Sequence, residues 1–583
     1  MTLSTSDWMM PNTQHGVLVA FGEFLQRHGL VDRLMGVPIG QKRRVHTPQA
    51  KLIEFLIGIM SGIEYLRDLD DGPHPVVQDT AVARAWGQAG FAHYSGVSRT
   101  LRACDEQTVA AVEEAITIFS RPFITEAIQG LLRRGQPIVY DLDLTGQAVS
   151  ATSSTYPEAA FGWMDDGVKL GYQLARVCLS SSPQERIWLA GFHHPGDTVS
   201  VGCLQELILA AEAQTQIRPR RRTELVQQRI EAQSQVVARI HCLISQQEEK
   251  RHKLQSTQAT LIGKLYHAQQ LLQEALPESS RGRLSAQIEG WQARLPRLEA
   301  QLAKYQQVVR KHQERLQQQQ AVLETQQAWQ AKLEADNRAN PDPPPYVEAR
   351  MDAGFTSGEN LTWVLEMGYC PNTKAPNSRT TEALRASLPA QACWVRVGDN
   401  AEMIACGEHV LHGCPFPLPM ALERFKVNKE YKYATLIHYR DDGASPSLPS
   451  WFRHYNERQT IEAGNKEMKG TFFVQHLMSR SLAGIRLQVL FTGLAANVVR
   501  WCRPWLNTCT AEPTPKWRRT LQSPKQLVRV AANTAALVHY ADVGTALQFA
   551  PESPFPGVIL LLRGIPATQL ALGFNRPCSI ESG

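Results

Sequence analysis

The sequence predicts an α/β core that is split by a long antiparallel coiled coil and flanked by helical segments at both ends. Three observations carry this expectation. PIVYDLDLT, within 135–145, alternates Tyr140, Leu142 and Leu144 with Asp141 and Asp143, the period-two pattern of a half-buried strand. Ile288, Leu295, Leu302, Val309, Leu316 and Leu323 recur every seven residues within a Gln-, Arg-, Glu- and Ala-rich stretch, which is a heptad seam. Toward both ends of the chain the punctuation is helical, with caps, first-turn prolines and apolar residues at helical spacing.

With 583 residues, 43% apolar and 20% charged, the chain is long enough for about four domains with substantial cores. Its net charge of +6, from 61 basic and 55 acidic residues, is mild, so any affinity for nucleic acid has to come from local patches. The 11 cysteines are odd in number and include no C-x-x-C pair, which argues for reduced thiols rather than a disulfide framework. MTLSTSDWMMPNTQ lacks the regions of a signal peptide, and no apolar run approaches membrane-spanning length. A cytoplasmic protein without a membrane segment is therefore expected.

Residues 1–130 read as a helical domain. Thr47 and Pro48 make a cap and first-turn pair ahead of Leu52, Phe55, Leu56, Ile59 and Met60. The run Asp79 to Trp86, a Gly-containing turn and Ser95 to Cys104 fit either a helix-turn-helix, with Arg99 and Arg102 facing a DNA groove, or an ordinary bundle with surface arginines. Residues 131–205 form the first part of the core. After the Asp141/Asp143 strand and a polar loop with Asp165, Asp166 and Lys169, YQLARVCL and RIWLAGF read as two antiparallel strands; the His193–His194 pair invites a metal reading, and a turn before Pro195 and Gly196 is the simpler one.

Residues 206–345 form the insertion. An earlier arm carries Ile240, Leu254, Leu261 and Ala268 at multiples of seven, and LPESSRGR from Leu276 to Arg283 offers Pro, Ser and Gly to turn the chain. Arms of some fifty residues span about 75 Å. The basic run Arg218 to Arg222 at the root is either a solvated charge run or a DNA contact, and NPDPPP from Asn340 to Pro345 is a stiff linker.

Residues 346–480 resume the core with the strand YVEARMDAGF, which brings Asp352, then a helix near 357–367 and the strand CWVRV at 393–397; Asp399, between Gly398 and Asn400, reads as a turn. Cys406, His409, His412 and Cys414 are zinc-type ligands without the usual separation between pairs. Lys426, Lys429, Tyr431, Lys432 and Tyr433 mix basic and aromatic residues, as a nucleic-acid surface or an exposed edge strand does. Residues 481–583 are helical and basic.

Trp451 to Gly470, read as one helix, places Tyr455, Arg458, Glu462 and Lys469 within roughly 60° of arc and points Glu457 and Glu467 elsewhere. Glu462 is thereby the one acid on a basic and aromatic stripe; a solvated helix with an Arg458–Glu462 ion pair is the plainer reading. The spacing Tyr-x2-Arg-x3-Glu-x6-Lys resembles the YREK signature of bacterial insertion-sequence transposases of the DDE type. The D-x-T at Asp143 to Thr145 and the D-A-G-F at Asp352 to Phe355 resemble the acidic motifs that precede it in that family.

The resemblance implies an RNase H-like catalytic core in which Asp143, Asp352 and Glu462 hold Mg2+, with Mn2+ as a substitute, and in which Asp141 is a neighbour or substitute for Asp143. It further implies that Tyr455, Arg458 and Lys469 hold DNA phosphates, that the partners are double-stranded transposon ends and target DNA, and that a homodimer forms the synapse. The activity implied is endonuclease cleavage followed by strand transfer, in a protein that is nucleoid-associated when active. The resemblance covers 131–205 and 346–480, the N-terminal part loosely, and the coiled coil not at all. Several relatives carry their insertion between the second and third acids, whereas here it lies between the first and second. A domesticated, non-catalytic DNA-binding protein and a coiled-coil scaffold are the alternatives.

Overall fold

The computed structural model describes residues 12–562 except 72–73, 165, 183–184, 275–276, 345, 377, 429, 442, 444–445 and 542–543. Asp165, Leu276, Pro345 and Lys429 lie outside the described residues, as do the first 11. The chain forms two compact units, one of Met1–Pro219, Pro344–Val364 and Tyr369–Gly583, the other of Arg220–Pro343 and Leu365–Gly368.

The first unit begins with helices α1 (Gly16–Arg27), α2 (Leu30–Met35), α3 (Pro48–Ser61), α4 (Thr80–Ala85), α5 (Tyr94–Ala103) and α6 (Glu106–Arg133). Thr47 accepts from the Ala50 amide and Pro48 occupies the first turn of α3, as their sequence signals require. Leu52, Phe55, Leu56, Ile59 and Met60 are fully buried, and so are Ile53 and Ile57 on the other side, so α3 is a core helix, apolar all round. The helix-turn-helix does not form. α4 is short, 8 residues separate it from α5, and such a motif turns in about three or four. α4 packs on α1 and α5 on α3 instead, which leaves Arg99 and Arg102 exposed on α5.

β1 (Ile138–Ala148), β2 (Ala160–Met164), β3 (Gly167–Ser182) and β4 (Glu185–Pro195) follow. β3 pairs antiparallel with β1 along one edge, and β2 and β4 share its other edge end to end. The two strands read from sequence are present, but the supposed loop around Asp166 is the β2–β3 hairpin, and His193 and His194 belong to β4 rather than to a turn. α7 (Ser200–Thr215) buries Cys203, Leu204, Leu207, Ile208 and Ala211 against β1, β3 and β4. The inserted unit therefore starts near Arg220, not at 206: α7 spends its apolar face on the sheet.

The second unit is the expected hairpin, α8 (Thr223–Leu271) against α9 (Glu278–Ala339). Ile240 and Ile244 pack on Val309, with Val236 and Leu316 beside them; Gln233 donates to Gln319 and Gln330 to Gln227, which fixes the antiparallel register. Ser280 and Gly282, read as part of the turn, lie in the first turns of α9, with Pro277 as its N-cap. At the root, Asn337 exchanges two hydrogen bonds with the Arg221 backbone. The Arg221 guanidinium is buried, donating to Asp336 and to the Met367 carbonyl, and Arg222 donates to the Leu365 carbonyl. These two arginines of the basic run bind protein, not solvent.

The first unit resumes with β5 (Val347–Arg350), α10 (Gly358–Glu366), β6 (Cys370–Lys374), α11 (Ser378–Ser387), β7 (Val395–Arg396), β8 (Ala401–Val410), β9 (Pro417–Val427), β10 (Glu430–His438), α12 (Leu448–Asn456) and α13 (Gln459–Thr471). The strand expected at 393–397 shrinks to the two residues of β7, and Asp399 lies in a bend as read. The ten-stranded mixed sheet runs β2-β3-β1-β5-β6-β10-β9-β8-β7, with β4 on β3; β1, β5 and β6 are mutually parallel at its centre.

α14 (Leu482–Cys509), α15 (Pro515–Leu521), α16 (Pro524–Arg529) and a three-stranded sheet of β11 (Ala536–Ala541), β12 (Gly544–Phe549) and β13 (Ile559–Leu561) complete the chain. They share one apolar core with the N-terminal helices: Phe55 meets Phe491 at 6.0 Å between centroids, and Trp86 donates its indole N–H to the Leu18 carbonyl beside the same cluster. The two ends, expected as separate regions, form one body because α3 and α14 each carry more apolar surface than one neighbour can cover. Among the described residues α14 alone is long and apolar enough to cross a membrane, and 83% of its apolar window is buried inside the protein, as in a core helix. The described cysteines are all free thiols.

Candidate functional site

Period two puts Asp141 and Asp143 on one face of β1, and the sheet assigns them different partners. Asp141 is fully buried and accepts at Oδ1 from Arg350 Nε at 2.6 Å and at Oδ2 from an Arg350 terminal nitrogen at 3.1 Å, with the Arg186 guanidinium also against Oδ2. Two buried guanidinium groups use both of its oxygens, so Asp141 is a structural ion-pair partner. Asp143, one step along, accepts from the Asn465 amide of α13 and from Arg458 at 3.4 Å.

Asp352 lies just past the end of β5, where its carboxylate accepts from the Gly354 amide at 2.9 Å and caps a single 3-10 turn. Parallel pairing of β1 with β5 brings this turn beside Asp143. The segment read as one helix is two: α12 ends at Asn456, α13 starts at Gln459, and Glu457 and Arg458 between them keep helical dihedrals. The step is small enough that Glu462, in the first turn of α13, still faces the same place.

One guanidinium joins the three acids. Arg458 stands 3.4 Å from Asp143, 3.9 Å from Asp352 and 3.8 Å from Glu462. Three carboxylates against one cation leave a local excess of two negative charges, a donor set made only of oxygen that suits a hard divalent ion. Burial, helped by the charge of Asp143, pushes the Asp352 carboxyl above its usual range, against the pull of Arg458. Burial works against the Arg458 charge, but Tyr455, Asp143, Asp352 and Glu462 outweigh it and hold the group up.

Lys469, Arg99 and Arg102 stand apart from this cluster, whereas Tyr455 reaches Arg458 from a buried position. Tyr455 is buried, not on an exposed stripe: it packs with Met403, Ala421, Leu436 and Trp451, takes the Lys374 ammonium over its ring at 5.3 Å, and burial drives its hydroxyl to about 12. Lys469 lies 11 residues beyond Arg458 at the far end of α13, about 16 Å along an ideal helix. Arg99 and Arg102 are on α5.

Sequence reasoning missed the residues that hold the cluster in place. Asn465 falls one turn after Glu462, a signal that the helical period contained. Arg176, opposite Asp143 in the β1–β3 register, donates to the Ile461 carbonyl and clamps α13 to the sheet. Behind the acids, buried Glu348 accepts from His454 at 2.9 Å and from Asn372 at 2.9 Å. Burial pulls the His454 imidazole down, but the Glu348 carboxylate wins and holds it at about 9.

Cys406, His409, His412 and Cys414 do not gather around a point. Cys406 and His409 belong to β8, where His409 bonds the Cys406 carbonyl at 2.9 Å, while the buried Cys414 thiol faces the Phe416 carbonyl. Among the described residues, the soft-donor group whose ligand atoms converge is His194, Cys203 and Glu206. No protein-family model matches this chain, and no curated protein matches it.

Proposed function

We propose that this chain is a divalent-metal-dependent transposase of the DDE type, which cleaves DNA at transposon ends and joins those ends to target DNA. The observation that carries the reading is the convergence of Asp143, Asp352 and Glu462, from three segments far apart in sequence, on the single guanidinium of Arg458. An antiparallel β3 beside parallel β1, β5 and β6, with the acids on β1, just after β5 and on a following helix, supports an RNase H-like core. The resemblance of 455–469 to the YREK signature supports the same assignment.

Asp143, Asp352 and Glu462 would hold Mg2+ or Mn2+, which when bound supplies activation of a water or 3′-hydroxyl and stabilisation of the leaving oxygen in an in-line displacement. Asn465 fixes the rotamer of Asp143, and the 3-10 turn fixes that of Asp352, so two of the three ligands are held before substrate arrives. Glu462, 55% exposed, is the adjustable one. Arg458 would pair with a phosphate oxygen of the end, and Lys469 would neutralise a phosphate farther along α13. Tyr455 acts by supporting Arg458 from beneath rather than by reaching DNA. Two chains in a synapse acting on double-stranded ends complete the proposal.

A non-catalytic DNA-binding protein is the second reading, favoured by the way Arg458 already pairs with all three acids. Nicking of DNA that carries the gene's own flanking sequence decides between them. Mg2+-dependent cleavage lost on Asp352→Asn supports the enzyme, and end binding without cleavage under Mg2+ or Mn2+ supports the alternative.

A further inference from the structure

The group formed by His194, Cys203 and Glu206 belongs to none of the chemistry above. His194 closes β4, while Cys203 and Glu206 stand at i and i+3 in the first two turns of α7, so a strand end and a helix face meet there. One ligand atom from each lies within 4.8 Å of the others, and His194 Nε2 is 2.6 Å from the Glu206 carboxylate. Cys203 is almost wholly buried, whereas His194 and Glu206 are partly exposed at 24% and 33% and line a cavity of about 320 Å³ with Glu106, Glu113 and Arg486.

We propose that His194, Cys203 and Glu206 bind one zinc-class divalent ion, with the cavity supplying its entry path and a water as fourth ligand. A sulfur, a nitrogen and an oxygen donor are the mixed set that zinc takes, with bond lengths of about 2.0–2.3 Å and a tetrahedral arrangement. Such bonds set neighbouring donors about 3.5 Å apart. The pair at 2.6 Å has to open by about 1 Å and the others, at most 4.8 Å apart, to close by no more than about 1.3 Å, a side-chain adjustment rather than a backbone one. Mg2+ does not suit a thiolate, so this site and the all-oxygen cluster at Asp143, Asp352 and Glu462 select different ions.

The ion ties α7 to β4 at the end of the helix that supports Asp352. The Asn360 amide of α10 donates to the Val201 carbonyl at 2.9 Å, and Gly354 sits so close to Ser200 that a Cβ there would lie 3.0 Å from its hydroxyl. A bound ion fixes the start of α7, and with it the floor of the Asp352 turn.

The full chain, stripped with chelator and kept in excess Mg2+, is titrated with Co2+ while the sulfur-to-cobalt charge-transfer absorbance is followed. One Co2+ per chain, displaced by Zn2+ and not by Mg2+, is expected. Cys203→Ser removes the charge-transfer band, and Glu206→Gln, a partly exposed change that leaves the fold intact, weakens Co2+ binding by at least about tenfold. Cys414→Ser leaves both unchanged. Absence of the band in the parent chain, its survival in Cys203→Ser, or its loss in Cys414→Ser overturns the assignment. None of these readings depends on DNA cleavage, so failure here is separate from failure of the proposed function.

Discussion

Replacing Arg458 with Ala removes the one cation that the three acids share, and the structure sets the size of the effect. The contact with Asp143 is mostly buried, with side-chain exposures of 13% and 9%, whereas Asp352 and Glu462 are 39% and 55% exposed and screened by water. Exposed pairs contribute about 0–1 kcal/mol each. Breaking a buried pair by deleting one partner costs about 3–5 kcal/mol, and here the lower end applies, because the Asn465 amide still serves Asp143. Arg458→Ala should therefore lose about 3 kcal/mol in the presence of chelator. Mg2+ at about 100 times its dissociation constant should return about 2.7 kcal/mol, since the ion then takes over the charge that the guanidinium balanced. The parent chain should gain less from the same Mg2+, because its guanidinium has to be displaced. Urea unfolding of both proteins, with chelator and with Mg2+, measures all four values. Equal stability in chelator, or a larger Mg2+ gain in the parent than in the variant, refutes the idea that Arg458 balances the acids.

Three further outcomes follow from the packing. Phe491→Ala deletes a fully buried ring against Phe55 and should cost about 3–5 kcal/mol, with amide exchange rising in the N-terminal helices as well as in α14; exchange confined to the C-terminal region would contradict a shared core. The His454–Glu348 pair should add stability below about pH 6.5, the unfolded imidazole value, and lose it as pH rises through about 9, because the folded pKa is the higher one. His454→Gln should flatten that stretch of the stability profile measured by urea midpoint. Replacing 223–335 with a short Gly/Ser linker keeps the Arg221–Asn337 bonds and should leave the first unit folded, while paired-end complexes in native gels become fewer; unchanged complexes would make the hairpin a passive insertion.

Periodicity exposed the frame of this protein and hid its fine assignments. The alternation at 138–145 located β1 but could not choose between Asp141 and Asp143, since both share a face; the choice depends on Arg350 and Arg186, which reach Asp141 from other strands. Heptads located the hairpin, but composition carried its start back to 206 and into α7, whose residues resemble those of the coiled coil while its apolar face packs on the sheet. β6, β8 and β9 went unread because pairing with neighbouring strands, not a clean local alternation, stabilises them. Helical spacing grouped Arg458 with Glu462 correctly, yet it made Tyr455 look exposed, and only the sheet beneath α12 explains why that ring is core. His194, Cys203 and Glu206 were invisible as a set because a strand end and a helix bring them together.

The most direct test of the account is Mg2+-dependent cleavage, by the full chain, of DNA carrying the sequences that flank its gene, compared across Asp143→Asn, Asp352→Asn, Glu462→Gln and the control Glu467→Gln. Glu467 is paired with Arg500 at 2.8 Å, away from the acid cluster. Each of the first three substitutions should abolish cleavage while end binding persists, and the control should cleave as the parent does. Cleavage that survives in all three acid variants, or that fails in Glu467→Gln alone, would contradict the account.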